Sequence, residues 1–163
     1  MKHIWSPWRM NYIMNHERSL DCVFCQAIEQ ADSAENLVVF RGQSVFVILN
    51  RYPYTSGHIM VVPFAHVPSL EALSPEVRAE MIDMASIATQ VLQTIYHPEG
   101  FNLGINLGEA AGAGIAAHLH MHVVPRWNGD TNFMSAVGGT RVLPENIDDS
   151  YQRIQTAWKE MAT

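Results

Sequence analysis

Short apolar runs bounded by turn residues fill the first half of the chain, and a helical period then takes over. Leu37–Arg41 and Val45–Leu49 carry the β-branched and aromatic side chains of strands and are separated by a turn at Gly42-Gln43. Ile59–Val62 reads as a third strand, entered through Ser56-Gly57 and stopped by Pro63. From Val77 the apolar spacing becomes three or four. Val77, Met81, Met84, Ala88, Leu92 and Ile95 then form one stripe of a helix. Ser74 suits its N-cap, Pro75 its first turn and Glu76 its positive end, and His97-Pro98-Glu99-Gly100 stops it. Phe101–Leu107 reads as a strand, Gly108–Gly114 as a loop of small residues and His118–Val124 as another strand. A last helix runs from about Pro144 to Met161, with Tyr151, Ile154, Trp158 and Met161 on one side. Hairpin-ordered strands, one long helix, more strands and a C-terminal helix predict an α+β fold with a mainly antiparallel sheet.

The chain has 163 residues, 48% of them apolar, which suits one domain with a full core. We expect a single domain over residues 1–163. Residues 1–20 form an aromatic arm carrying Trp5, Trp8, Arg9 and Tyr12, residues 22–127 the core, and residues 128–163 an extension with the last helix. No apolar run reaches membrane-spanning length, and the start lacks the apolar stretch of a signal peptide, so a cytoplasmic protein is expected. The formal charge is −6, and no basic patch of the kind that holds a nucleic-acid backbone is present. An anion bound here must be held locally, by His, Arg or backbone N–H groups.

The densest chemistry lies in His118-Leu119-His120-Met121-His122. Period-two spacing on a strand puts three imidazoles on one face and Leu119, Met121 and Val123 on the other. Neighbouring members stand ~6.5–7 Å apart along the backbone, so the outer two are roughly 13 Å apart. Bonds of ~2 Å from nitrogen to metal make one cation shared by all three difficult. One terminal histidine with one task, and the other two with another, is the economical division. The run is preceded by Gly108–Gly114, where backbone N–H groups can converge on an anion. Cys22 and Cys25 are spaced C-x-x-C, which in a reducing compartment reads as a metal clamp or a redox pair.

His118-Leu119-His120-Met121-His122-Val123-Val124 matches the histidine triad motif, and the chain resembles the HIT superfamily of nucleotide hydrolases and transferases. Phe46–Asn50 and Gly57-His58-Ile59-Met60-Val61-Val62-Pro63 resemble that family's nucleotide-binding hairpin, and Asn106 with the loop to Gly112 and Gly114 its phosphate loop. The arm Trp5-Ser6-Pro7-Trp8-Arg9 and the segment Pro125-Arg126-Trp127 through Phe133 are similar to the bacterial diadenosine polyphosphate phosphorylase/hydrolase branch. The resemblance implies that His120 attacks the α-phosphorus and carries a covalent nucleotidyl group. It implies that His122 and His58 contact phosphate oxygens or assist the leaving group, and that Asn50 binds ribose. Phe24, Ile28 and Ile48, with Val23, are candidates for the base pocket. Backbone N–H groups over 112–115 would add donors. Many family members carry Ser or Thr three residues before the first triad histidine; here Ile115 stands there, so that hydroxyl is absent.

Cys2His2 is a common closed zinc set. By resemblance to zinc-bearing relatives, including the galactose phosphate uridylyltransferases, the set is Cys22, Cys25, His66 and His118. The expected role of the zinc is structural, and Mg²⁺ or Mn²⁺ can accompany a polyphosphate substrate. The favoured activity is cleavage of dinucleoside polyphosphates of the diadenosine tetraphosphate type, with phosphorolysis preferred to hydrolysis. A nucleoside phosphoramidase, a non-catalytic nucleotide sensor and a zinc hydrolase are the alternatives. The family also implies a homodimer or a higher homo-oligomer.

Overall fold

The computed structural model describes residues 22–130 and 145–161. The expected aromatic arm falls outside them, as does Pro144, the expected start of the last helix, which begins at Ile147. Five strands form one sheet: β1 Val38–Arg41, β2 Val45–Leu49, β3 Ile59–Pro63, β4 Gly100–Ile105 and β5 Met121–Arg126. Their order is β1-β2-β3-β5-β4, and every neighbouring pair is antiparallel. Among the described residues three α-helices accompany them: α1 Val23–Ile28, α2 Pro75–Tyr96 and α3 Ile147–Met161, with 3-10 turns at Leu70–Ala72 and Glu109–Ala111. The predicted α+β class holds.

The middle of the sheet is the core. Every residue of β2 and β3 is buried, because α2 and α3 cover the side of the sheet that solvent would otherwise reach. Ser74 caps α2 through Val77 N–H, with Pro75 in the first turn, and His97 ends the helix in the left-handed region at φ 47. Met81, Ala85, Ala88, Val91 and Leu92 are its fully buried residues. The stripe thus runs as expected, with Ala85 and Val91 widening it. Glu80 on the same helix accepts from the N–H groups of Gln43 and Ser44, so α2 also clamps the β1–β2 turn.

The structure departs from the sequence reading at several points. α1 was not anticipated, since six residues are too few to show a helical period. β4 starts at Gly100 and ends at Ile105, leaving Asn106 and Leu107 in the loop. The last triad strand begins at Met121, so His118 and His120 precede the regular ladder, whose pairing to β3 begins at the Val61–Met121 pair. On α3, Tyr151, Ile154 and Trp158 are buried, but Met161 is 43% exposed at the helix end, beyond the sheet's reach.

Candidate functional site

Two sites share the histidine run. The first gathers Cys22, Cys25, His66 and His118, whose ligand atoms all lie within 4.8 Å of one another. Cys22 is the N-cap of α1 and Cys25 stands one turn on, so both sulfurs share a helix face. Cys22 Sγ is 3.2 Å from His118 Nδ1, Cys25 Sγ is 3.3 Å from His66 Nδ1, and Cys25 Sγ is 3.7 Å from His118 Nδ1. Zinc bonded tetrahedrally at ~2.3 Å to sulfur and ~2.0–2.1 Å to nitrogen needs ligand-to-ligand edges of roughly 3.3–3.8 Å. The donor set therefore fits the metal in kind, and its three close sulfur–nitrogen contacts fit the edges of the tetrahedron. His118 Nε2 lies 2.8 Å from Pro63 carbonyl, which fixes the proton on Nε2 and turns the Nδ1 lone pair toward the sulfurs. Burial, then the neighbouring Cys22, push the Cys25 thiol up; two adjacent thiolates require a cation between them.

α1 is held for this task by its C-terminal end. Arg41 donates to the carbonyls of Ile28 and Gln30 and pairs with Asp32. The buried Asn36 amide donates to Ala27 and Ala31 carbonyls and accepts from Ser33 and Val38 N–H groups, using all four of its hydrogen-bonding positions.

The second site contains His58, His120 and His122. His120 is 5% exposed, and its Nδ1 donates to His118 carbonyl over 2.8 Å. The lone pair is thereby left on Nε2, which takes no hydrogen bond from the described residues. Burial holds its pKa below the usual imidazole value, against a smaller opposing effect of the His118 carbonyl, so the ring is neutral at pH 7. His58 is buried immediately before β3, where it follows Gly57. That glycine is at φ 77, and a Cβ there would stand 2.9 Å from Tyr96 Cε2; only glycine lets the hairpin pass so close to α2. Tyr54 N–H donates to His58 Nδ1 at 3.1 Å, and His58 Nε2 lies 2.9 Å from His122 Nδ1. The N–H at Nδ1 puts the His58 proton on Nε2, which donates to His122 Nδ1 and leaves the His122 proton on Nε2. The rings of His120 and His122 meet edge to face at 4.9 Å.

The remaining candidates separate. Phe24 is buried with its ring 5.3 Å from His118 and 5.1 Å from His120, so it walls both sites. Ile28 is half-buried and packs on the core, and Ile48 is buried within β2. Val23 is 43% exposed. The Asn50 carbonyl oxygen accepts from Tyr52 N–H in a local turn, and its amide nitrogen lies 3.4 and 3.5 Å from the two nitrogens of His58, against the ring. In the small-residue loop, Gly112 and Ala113 N–H groups turn back onto Glu109 and Gly108 carbonyls. Of the donors expected over 112–115, this leaves Gly114 and Ile115. Asn106 is half-buried at the loop entry. Sequence reasoning missed Tyr54, whose ring lies on both His58 and His122. An aromatic residue after Pro53, four residues before His58, was the available signal.

No described helix is long and apolar enough to cross a membrane. The HIT domain family model matches residues 31–129. The chain is 41% identical over 166 residues to an AP-4-A phosphorylase of Mycobacterium tuberculosis, covering 97% of this chain and 85% of that protein. It is 32% identical to the adenylylsulfatase HINT3 of Arabidopsis thaliana, over 65% of this chain and 52% of that one. A crystal structure of a Zn-bound histidine triad family protein from Mycobacterium smegmatis superposes with a TM-score of 0.70 at 27% identity, covering 88% of this chain and 97% of that one. With the triad, the five-stranded sheet and these matches together, the chain belongs to the HIT domain family.

Proposed function

We propose that this protein is an enzyme that cleaves dinucleoside polyphosphates of the diadenosine tetraphosphate type through an adenylyl group carried on His120. The observation that carries the reading is the His120 tautomer: a neutral, buried imidazole whose Nδ1–H is tied to His118 carbonyl. In the first step the Nε2 lone pair forms a bond to the α-phosphorus. The bond from that phosphorus to the bridging oxygen breaks, and its electron pair leaves with ATP. Covalent catalysis divides one difficult displacement into two easier ones. His122 donates Nε2–H to the phosphate oxygens where charge develops. An oxygen of inorganic phosphate then attacks the adenylyl phosphorus, releases His120 and gives ADP. The 41% relative named AP-4-A phosphorylase supports phosphate, rather than water, as the acceptor. Phe24, with Ile28 and Ile48 of the same core cluster, is the wall available to a base, Asn50 the residue available to ribose, and Asn106, Gly112 and Gly114 the border of the phosphate side.

Cys22, Cys25, His66 and His118 are the residues that would hold zinc, supported by their spacing and by the Zn-bound relative. Four protein donors fill a tetrahedral shell, so the metal's contribution is structural and no open position remains for an activated water. Association into a homodimer is part of this reading. It would use the edge strand β4, where Leu103 is 49% exposed.

Incubating the protein with diadenosine tetraphosphate, with and without phosphate, tests the proposal. ADP plus ATP, formed only with phosphate, is the expected result. AMP plus ATP in both cases would make it a hydrolase, and no cleavage would remove the reading.

A further inference from the structure

We propose that Tyr54 is a positioning residue for the leaving-group half of the reaction, holding His58 and His122 as one directional chain of donors. The inference rests on the adenylyl-transfer reading above. Its starting point is a double contact by a single residue. Tyr54 N–H donates to His58 Nδ1 at 3.1 Å, while its ring lies 4.5 Å from the His58 ring and 5.8 Å from the His122 ring, the latter at an interplanar angle of 27°. The backbone contact sets the sense of the chain: Tyr54 N–H to His58 Nδ1, then His58 Nε2–H to His122 Nδ1. The last donor is His122 Nε2–H. Each bond in such a chain polarises the next, so the terminal donor is stronger than an isolated imidazole.

The ring supplies what the backbone cannot. His58 is buried, but His122 is only half-buried, and Tyr54 itself is 39% exposed at the outer side of the pair. A ring stacked on His122 limits its rotation and covers one of its faces. The π-face also favours positive charge gathering on the imidazole as it donates. Tyr54 can do this because its loop is anchored at several points. Tyr52 N–H is held by Asn50 Oδ1, His58 N–H donates to Thr55 carbonyl, and Thr55 Oγ1 donates to Pro125 carbonyl on β5.

No net proton has to move in the step. His120 Nε2 bonds to phosphorus, the bridging oxygen leaves with its electron pair as an anion, and His122 Nε2–H hydrogen-bonds that oxygen as charge builds. The help is therefore worth most for a leaving group that holds charge poorly.

The test compares the phenyl and 4-nitrophenyl esters of AMP in the parent protein and in Tyr54→Phe and Tyr54→Ala. Both variants keep the backbone N–H, so they isolate the ring. For Tyr54→Ala, kcat on the phenyl ester should fall about tenfold or more and kcat on the 4-nitrophenyl ester less than about threefold, with KM changing less than about twofold. Tyr54→Phe should stay within about twofold of the parent on both esters. Equal losses on the two esters, no loss at all, or a loss in Tyr54→Phe as large as in Tyr54→Ala would overturn the proposal. Nitrogen chemical shifts of His58 and His122, read without substrate in the parent and in Tyr54→Leu, provide an independent arm. One tautomer for each ring in the parent is expected; in the variant His58 should keep its tautomer, since the backbone N–H remains, and His122 should show a mixture, and identical spectra would refute the role. A parent that cleaves neither ester would break the adenylyl-transfer reading and leave this second arm standing.

Discussion

His118 and His120 are two residues apart, and the fold gives them opposite fates. His118 has both nitrogens engaged, Nε2 by Pro63 carbonyl and Nδ1 toward Cys22 and Cys25. Among the described residues, His120 has only Nδ1 engaged, by the carbonyl of His118 itself. The same side chain becomes an anchor in one place and a candidate nucleophile in the other, according to what its second nitrogen meets. The two roles are also joined, because the backbone carbonyl that orients His120 belongs to a residue of the proposed metal quartet.

The largest way to break this comparison is to remove the anchor. Cys25→Ser, or chelation of the metal, should abolish stoichiometric zinc. With zinc at about a hundred times its Kd, the stability lost is about 2.7 kcal/mol, or ~5–10 °C in Tm for a chain of this size. Metal analysis and thermal unfolding check both. A variant that keeps its zinc and its Tm would dissolve the anchoring half of the account.

Gly57→Ala attacks the other half. A Cβ at φ 77, 2.9 Å from Tyr96 Cε2, should cost ~1–3 kcal/mol. It should also displace His58, lowering kcat more than the zinc content. Thermal unfolding and metal analysis on the same sample separate the two effects. Zinc loss accompanying the drop would mean that the two sites are not independently supported.

The smallest effect is one of pH. Burial lowers the His120 pKa in the fold below its ordinary value of 6.5. Below that pH the unfolded chain binds a proton that the fold excludes, so stability falls as pH drops, and it is fully regained above 6.5. The neutral nucleophile also persists below 6.5, so the acid limb of kcat/KM should lie under that value. A limb above 6.5 would show that His120 is not the group being titrated.

Much of this arrangement was legible in the sequence because it is local. The period-two histidines, the α2 stripe with its Ser74 cap, and the β2–β3 hairpin are each written in neighbouring residues. β3 and β2 run as expected because every residue in them is apolar. The quartet was reached through resemblance, and the fold supplies its distances. What escaped was non-local or short. α1 has no period to read, and its position depends on Asn36 and Arg41, whose partners lie up to 13 residues away. The start of β5 at Met121 is set by where β3 can pair, which a pattern of alternating residues does not reveal. Tyr54 is non-local in the same way, because its ring meets two histidines that are 64 residues apart in the chain.

The most direct test of the central claim is a rapid quench of the protein with diadenosine tetraphosphate in the absence of phosphate, followed by intact mass and peptide mapping under alkaline conditions. One adenylyl group per chain, located on His120 and missing in a His120→Asn variant that still binds nucleotide, is the predicted result. Full turnover by that variant, or an adenylyl group on another residue, would contradict the account.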